Sequence, residues 1–326
     1  MSIFFLWGYC FLFSSVQSQQ TNQMVTGQMY IEKFIQAEGI RLHYLDWGGS
    51  GLPLILIHPL GDSPYIFEDF AAALKNKFRI IAYSRRGHSK SAATVLHYDN
   101  STLVSDIKIL LDSLQVNKAN LLGWSMGGNE ITEFAIRYPE RTNKLIYFES
   151  GYDLSDDAFR DIIKTIPKSP FPDSLDLLTI DAYRKWYHKF WFSDVEWNST
   201  LEANLHGSTR INSDGSVVTL PNDSISKMFL ESATSYHRNY RMIQAPALVI
   251  YAKPFFVSPV KDEKVLFGYA EMERNIIHPW RLRSMYQIKA ELKNVTIKEL
   301  PEGSHTSFIF LSKDSLVETI DHFLSH

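Results

Sequence analysis

The sequence predicts an α/β fold, a mostly parallel β-sheet with helices on both faces, and two patterns carry that prediction. Short continuous apolar runs recur along the chain: Pro53–His58 (PLILIH), Arg79–Ser84, Ala119–Gly123, Leu145–Glu149, Ala247–Ala252 and Val295–Leu300. A strand that is apolar on both sides of its pleat is one covered by a layer on each face. Amphipathic stretches separate the runs, and this alternation is the mark of parallel strands joined by crossover helices.

The elements follow in order. Tyr30–Gln36 and Ile40–Trp47 read as a strand pair turning at Glu38-Gly39, with Gly48-Gly49-Ser50-Gly51 as the exit loop. Thr102–Leu114 places Leu103, Ile107, Leu110, Leu111 and Leu114 at helical spacing, with Ser101 or Asn100 as its cap. A helix over Ile131–Tyr138 stops at Pro139, which cannot continue it. Between about Gly151 and Gln244 the alternation breaks. That stretch is rich in aromatics (Phe171, Tyr183, Trp186, Tyr187, Phe190, Trp191, Phe192, Trp197) and has no clear buried strand. It reads as a mainly helical insertion, residues 151–244, set into a core of residues 19–150 and 245–326. An insertion at that point lies above the carboxyl ends of the strands, where such sheets bind ligands, and is expected to act as a lid. A separately packed subdomain with no ligand role is the alternative.

Residues 1–18 are set apart. An apolar run from Ile3 to Phe13 precedes Ser14-Ser15-Val16-Gln17-Ser18, the pattern of a signal peptide cleaved after Ser18. No Lys or Arg stands before the run, so an N-terminal anchor is the competing reading. The expectation is an exported protein, secreted or periplasmic, with no membrane span in the mature chain. The single cysteine, Cys10, falls inside this segment, which leaves the mature chain no disulfide, thiolate site or cysteine nucleophile. A formal net charge of −3 gives no electrostatic case for nucleic acid. No metal-ligand spacing occurs and the chemistry below needs no cofactor. The partner expected is a small-molecule substrate. Four N-x-S/T sites, at Asn100, Asn198, Asn222 and Asn294, are taken as chance matches.

Chemistry concentrates in three places. Gly123-Trp124-Ser125-Met126-Gly127-Gly128 follows a buried strand and precedes a helix, the context that gives G-x-S-x-G its meaning. The turn is so tight that only glycines fit beside a serine held exposed over a helix N-terminus. The glycines lack dinucleotide or phosphate-loop spacing. His58-Pro59-Leu60-Gly61 follows the PLILIH strand. Acyl transfer needs two backbone N–H donors for the oxyanion: Met126, after the nucleophile, is one, and Leu60 the other, since Pro59 has no N–H. His58 is read as holding the loop. His305, in the polar loop past the last strand, is the base that activates Ser125.

These residues, with Tyr83-Ser84-Arg85-Arg86-Gly87-His88-Ser89, resemble the α/β-hydrolase superfamily over roughly residues 30–325. The likeness is strongest to its lid-bearing esterase, haloperoxidase-like and C–C hydrolase members. The resemblance implies an eight-stranded sheet and a Ser–His–acid triad. Two departures stand out. The family's Arg-Gly loop carries Asp where Ser84 stands and Gly where Ser89 stands. Its usual acid lies just past the seventh strand, yet here Ala252–Pro259 holds no carboxylate before Asp262. Some relatives place the acid at the end of the sixth strand, which points to Glu149. A charge ending an apolar buried strand is also costly unless partnered. Glu149 ranks first, Asp153 second and Asp262 third, with a purely structural role open for Glu149. The expected function is hydrolysis of a small or medium apolar ester through an acyl-enzyme. Three alternatives stand: a proline-iminopeptidase-like aminopeptidase, a C–C bond hydrolase, and a binding protein that keeps the fold but hydrolyses slowly or not at all.

Overall fold

The computed structural model of the protein describes residues 29–168 and 171–326. The proposed leader at residues 1–18 and its cysteine lie outside the described residues.

Eight strands form one sheet in the order β1-β2-β4-β3-β5-β6-β9-β10. They are β1 (Ile31–Ala37), β2 (Ile40–Gly48), β3 (Pro53–Ile57), β4 (Arg79–Tyr83), β5 (Ala119–Trp124), β6 (Thr142–Phe148), β9 (Ala247–Tyr251) and β10 (Val295–Glu299). Only β2 runs against its neighbours; β4, β3, β5, β6, β9 and β10 pair in parallel. Alternate side chains of each central strand enter opposite layers. Ile55 and Ile57 of β3 join one apolar cluster, Leu54 and Leu56 the other, and the four are fully buried. The first layer is built with α2 (Asn100–Ser113), α3 (Gly127–Arg137) and α9 (His278–Glu291), the second with α1 (Glu68–Leu74) and α10 (Lys313–Ser325). This two-sided burial is why the strands read as unbroken apolar runs. The outer strands β1 and β10 are only partly buried and carry Glu32, Lys33, Lys298 and Glu299, charges that discourage edge pairing.

Two helix boundaries differ from expectation. The cap of α2 is Asp99, whose Oδ1 accepts the Thr102 N–H at 3.0 Å, rather than Asn100 or Ser101. Helix α3 begins at Gly127, four residues before the predicted start, because the tight turn at Ser125 runs straight into it.

Among the described residues, 151–244 contain four α-helices, α4 (Asp157–Thr165), α5 (Ile180–Trp191), α6 (Ser199–Gly207) and α7 (Asp223–Ser235), and one 3-10 turn, Tyr240–Met242. They also contain a small antiparallel hairpin, β7 (Thr209–Ile211) with β8 (Val217–Thr219), a minor addition to the mainly helical stretch that was expected. Most of the aromatics pack within the insertion: Tyr183, Tyr187, Phe190 and Phe192 are buried, and Trp186 stacks on Tyr183 and Phe190. Two N-x-S/T asparagines cap helices here, Asn198 toward the Leu201 N–H and Asn222 toward the Ile225 N–H. Asparagine is a favoured residue at such helix starts. Among the described residues no helix is long and apolar enough to cross a membrane.

Candidate active site

Strand β5 delivers Ser125 into a turn where its φ is +55°, left-handed for a non-glycine residue. Its N–H donates to Phe148 O at 3.0 Å, tying the turn to the neighbouring strand. The flanking glycines are demanded by close backbone approach. A Cβ on Gly123 would stand 2.3 Å from Gly127 O, and one on Gly128 would stand 2.6 Å from Ser150 O. Gly127 is tighter than usual but not barred, 3.1 Å from Ile57.

His305 lies in the loop after β10. Its N–H donates to Phe255 O at 3.0 Å, and its carbonyl accepts Trp124 Nε1 at 3.1 Å. The ring stacks on Phe255, centroids 4.2 Å apart and planes 19° apart. Held so, its Nε2 is 3.1 Å from Ser125 Oγ and its Nδ1 is 2.8 Å from Glu149 Oε2. The histidine side chain is 12% exposed and Glu149 is fully buried.

Glu149 follows β6 with a φ of +43°, its N–H bonded to Ile250 O at 2.9 Å. Oε1 accepts the Ala252 N–H at 2.6 Å and Tyr152 Oη at 3.4 Å. Burial first, and then the Glu149 charge, hold the Tyr152 phenol well above its usual range, so it remains a donor. Arg281, almost fully buried, backs the group by donating Nε to Tyr152 Oη at 2.9 Å. Each oxygen of the buried carboxyl group thus has a partner, His305 Nδ1 at Oε2 and the Ala252 N–H and Tyr152 hydroxyl at Oε1. At the position where the resemblance places an acid, after β9, the backbone N–H of Ala252 reaches Glu149 instead.

The other acids go elsewhere. Asp153 accepts Ser155 N at 2.9 Å and Oγ at 2.6 Å in a local turn. Asp262 caps α8 (Glu263–Met272) by accepting the Val265 N–H at 3.0 Å. Neither bonds His305.

The loop after β3 turns at Pro59-Leu60-Gly61-Asp62, with Asp62 N donating to Pro59 O at 3.4 Å and Gly61 at a φ of +84°. The inner N–H groups of such a turn face outward. Among the described residues, neither the Leu60 nor the Met126 N–H donates to a protein acceptor. Leu60 and Met126 also share one apolar cluster. His58 is fully buried, Nδ1 2.8 Å from Pro59 O and Nε2 accepting the Arg85 N–H at 3.4 Å. Burial, then Arg85, lower its pKa well below the usual range, so this neutral ring fastens two loops together. Ser84 is 2.9 Å from His43 Nδ1 through its hydroxyl, and its carbonyl accepts Ser91 Oγ at 2.8 Å, which accommodates that departure. Arg86 grips Asp106 with two bonds, at 2.8 and 2.7 Å.

Sequence reasoning passed over the residues that surround these groups: Asp62, Tyr187 and Asn204 beside the Leu60 loop, and Tyr152, Arg281 and Phe255 beside Glu149 and His305. The only local signal among them was a carboxylate, Asp62, in the same loop as Leu60. Burial pushes its carboxyl up to about 6 against hydrogen bonds from Tyr187 and Asn204 and the charges of His305 and Arg85, which lower it.

Residues 53–253 match the family described as alpha/beta hydrolase fold. The chain is 34% identical over 113 residues to 3-oxoadipate enol-lactonase 2 of Acinetobacter baylyi, covering 34% of this chain and 42% of that protein. It is 35% identical over 115 residues to epoxide hydrolase 4 of Homo sapiens, covering 34% of this chain and 32% of that one. The matched stretch therefore spans less than half the length of either relative. The solved structure of E-2-(acetamidomethylene)succinate hydrolase superposes with a TM-score of 0.66 at 16% identity, covering 91% of this chain and 100% of the other. That likeness speaks for the fold. With the matched residues spanning β3 to the end of β9, the chain belongs to the alpha/beta hydrolase fold family.

Proposed function

We propose that this protein is a serine hydrolase that cleaves a small or medium apolar ester through an acyl-enzyme on Ser125. The observation that carries the reading is the continuous hydrogen-bonded chain from Ser125 Oγ through His305 to Glu149, at 3.1 and 2.8 Å. His305 Nε2 takes the Ser125 proton as Oγ attacks the carbonyl carbon, and Glu149 accepts Nδ1–H and steadies the imidazolium. The Leu60 and Met126 N–H groups receive the oxyanion. Collapse of the tetrahedral adduct breaks the bond to the leaving alcohol, which takes the proton from His305. Water, deprotonated by the same ring, then attacks the acyl group and frees Ser125.

Serine at the elbow supports ester chemistry over the epoxide opening in the name of one relative, which needs a nucleophilic carboxylate. The lactonase relative is named for a cyclic ester. Phe255, Phe256 and Trp191 around His305 supply an apolar rim, with Phe256 and Trp191 half-buried. A binding protein drew its support from the missing acid after β9, and the Glu149–His305 bond weighs against it.

Stopped-flow hydrolysis of p-nitrophenyl acetate and butyrate checks this reading. The expected record is a burst of nitrophenol near one equivalent per chain, followed by slower turnover, with p-nitrophenyl palmitate turned over least. Folded protein that shows neither burst nor turnover on any of the three esters would count against it.

A further inference from the structure

Asn204 on α6 is fully buried, and its amide bonds the loop after β3 and Tyr187. Its Oδ1 accepts the Ser63 N–H at 2.9 Å and Ser63 Oγ at 2.7 Å. Its Nδ2 donates to Asp62 Oδ1 at 2.7 Å and lies 2.7 Å from Tyr187 Oη. Tyr187, on α5, donates its own hydroxyl to the same Asp62 oxygen at 2.5 Å. The end of α6 also packs closely on this loop, since a Cβ on Gly207 would stand 2.5 Å from the Ser63 side-chain oxygen.

A carboxylate at this depth is costly to keep charged, and two donors converging on its Oδ1 tie the loop to α5 and α6. Asp62 closes the turn that starts at Pro59, so whatever fixes Asp62 and Ser63 also restrains Leu60, which lies inside that turn. The α5–α6 part of the insertion is joined to the His305 loop as well, where Thr306 Oγ1 donates to Trp191 O at 2.5 Å and Ser307 Oγ to Asp194 Oδ2 at 2.6 Å. Those ties are what a fixed wall needs and what a flap that swings off the site would have to break.

We propose that Asn204, assisted by Tyr187, is a positioning residue that holds the Leu60 N–H on the developing oxyanion, making α5–α6 a permanent part of the active site. The inference rests on the assignment of Leu60 as an oxyanion donor. Oxyanion donors act on the tetrahedral state more than on bound ester, so a loosened loop lowers kcat and spares KM.

The test uses the full chain, with rates expressed per site titrated by a fluorophosphonate. Asn204→Ala is expected to lower kcat about 10- to 100-fold, a partial loss of one oxyanion donor, with KM within about threefold. Affinity for a trifluoromethyl ketone, whose adduct with Ser125 is an oxyanion, should fall by the same factor. Tyr187→Phe should lose less in the same direction. Asp62→Asn, whose carboxamide oxygen still accepts both bonds, should lose less than Asp62→Ala.

If the variants merely reduce the number of titratable sites, leaving kcat per site and ketone affinity at wild-type values, the positioning role is wrong. Should Asn204→Ala yield no folded protein, Tyr187→Phe decides by the same two readouts. Wild type that the fluorophosphonate fails to titrate would instead bring down the hydrolase reading, and this inference with it.

Discussion

Replacing Glu149 by Gln is expected to lower kcat by about 10³- to 10⁴-fold, the scale seen when a triad carboxylate becomes an amide. The carboxylate receives His305 Nδ1 on Oε2 and the Ala252 N–H on Oε1. A glutamine can keep its oxygen on Ala252, which leaves its NH2 facing Nδ1. The imidazole then adopts the tautomer with the proton on Nε2, and Nε2 no longer accepts from Ser125. Backbone and packing are preserved, so the melting temperature should move little compared with the activity. Asp153→Asn, whose side chain hydrogen-bonds the turn residue Ser155 and not His305, should change kcat little. Steady-state kinetics on both variants check this, and the reverse pattern would transfer the acid role to Asp153.

Arg86→Met should cost about 3–5 kcal/mol of stability, the range for removing one partner of a buried ion pair. The Arg86 side chain is 4% exposed and that of Asp106 is fully buried, and Arg86 also donates to His97 O at 3.1 Å. Burial already pushes the Asp106 carboxyl above its usual range against the pull of Arg86, and losing the guanidinium pushes it further. A raised folded-state pKa gives stability that is present below the unfolded value and lost as pH rises through the folded one. The deficit of the variant should therefore be smaller at pH 5 than at pH 8. Urea unfolding at the two pH values measures it, and Arg86→Met with Asp106→Leu should recover most of the loss. A deficit independent of pH, or one that the second substitution fails to relieve, would show that packing rather than the stranded charge sets the cost.

The parts of the fold that were legible are those where local sequence and tertiary burial say the same thing. Ile55 and Leu56 enter opposite layers, so β3 had to be apolar throughout, and β5, β6 and β9 follow the same rule. Boundaries were less legible where several residues compete for one role. Asp99, Asn100, Ser101 and Thr102 all suit a helix start, and only the bond to Thr102 N picks out Asp99. Glycines open α3 and dilute its amphipathic pattern, which hid its first turn. The β7–β8 hairpin was signalled by Asp214-Gly215, a favoured turn pair, with Gly215 at a φ of +86°. Its three-residue strands were too short to show alternation.

The site divides in a similar way. Ser125 and His305 each lie in a short motif whose geometry is local, and Glu149 announced itself as a charge ending an apolar strand. Asn204 reaches Asp62 across 142 positions, and Arg281 reaches Tyr152 across 129. Nothing periodic or local marks such pairs. They depend on residues that meet only in the folded chain, and the same packing stacks Trp186 of α5 on Tyr183 and Phe190.

The central claim is that Ser125 is an activated nucleophile. Intact mass after incubation with a fluorophosphonate, wild type beside Ser125→Ala, tests it most directly. One adduct is expected on wild type and none on the variant. No adduct on folded wild type, or an adduct that survives in Ser125→Ala, would contradict it.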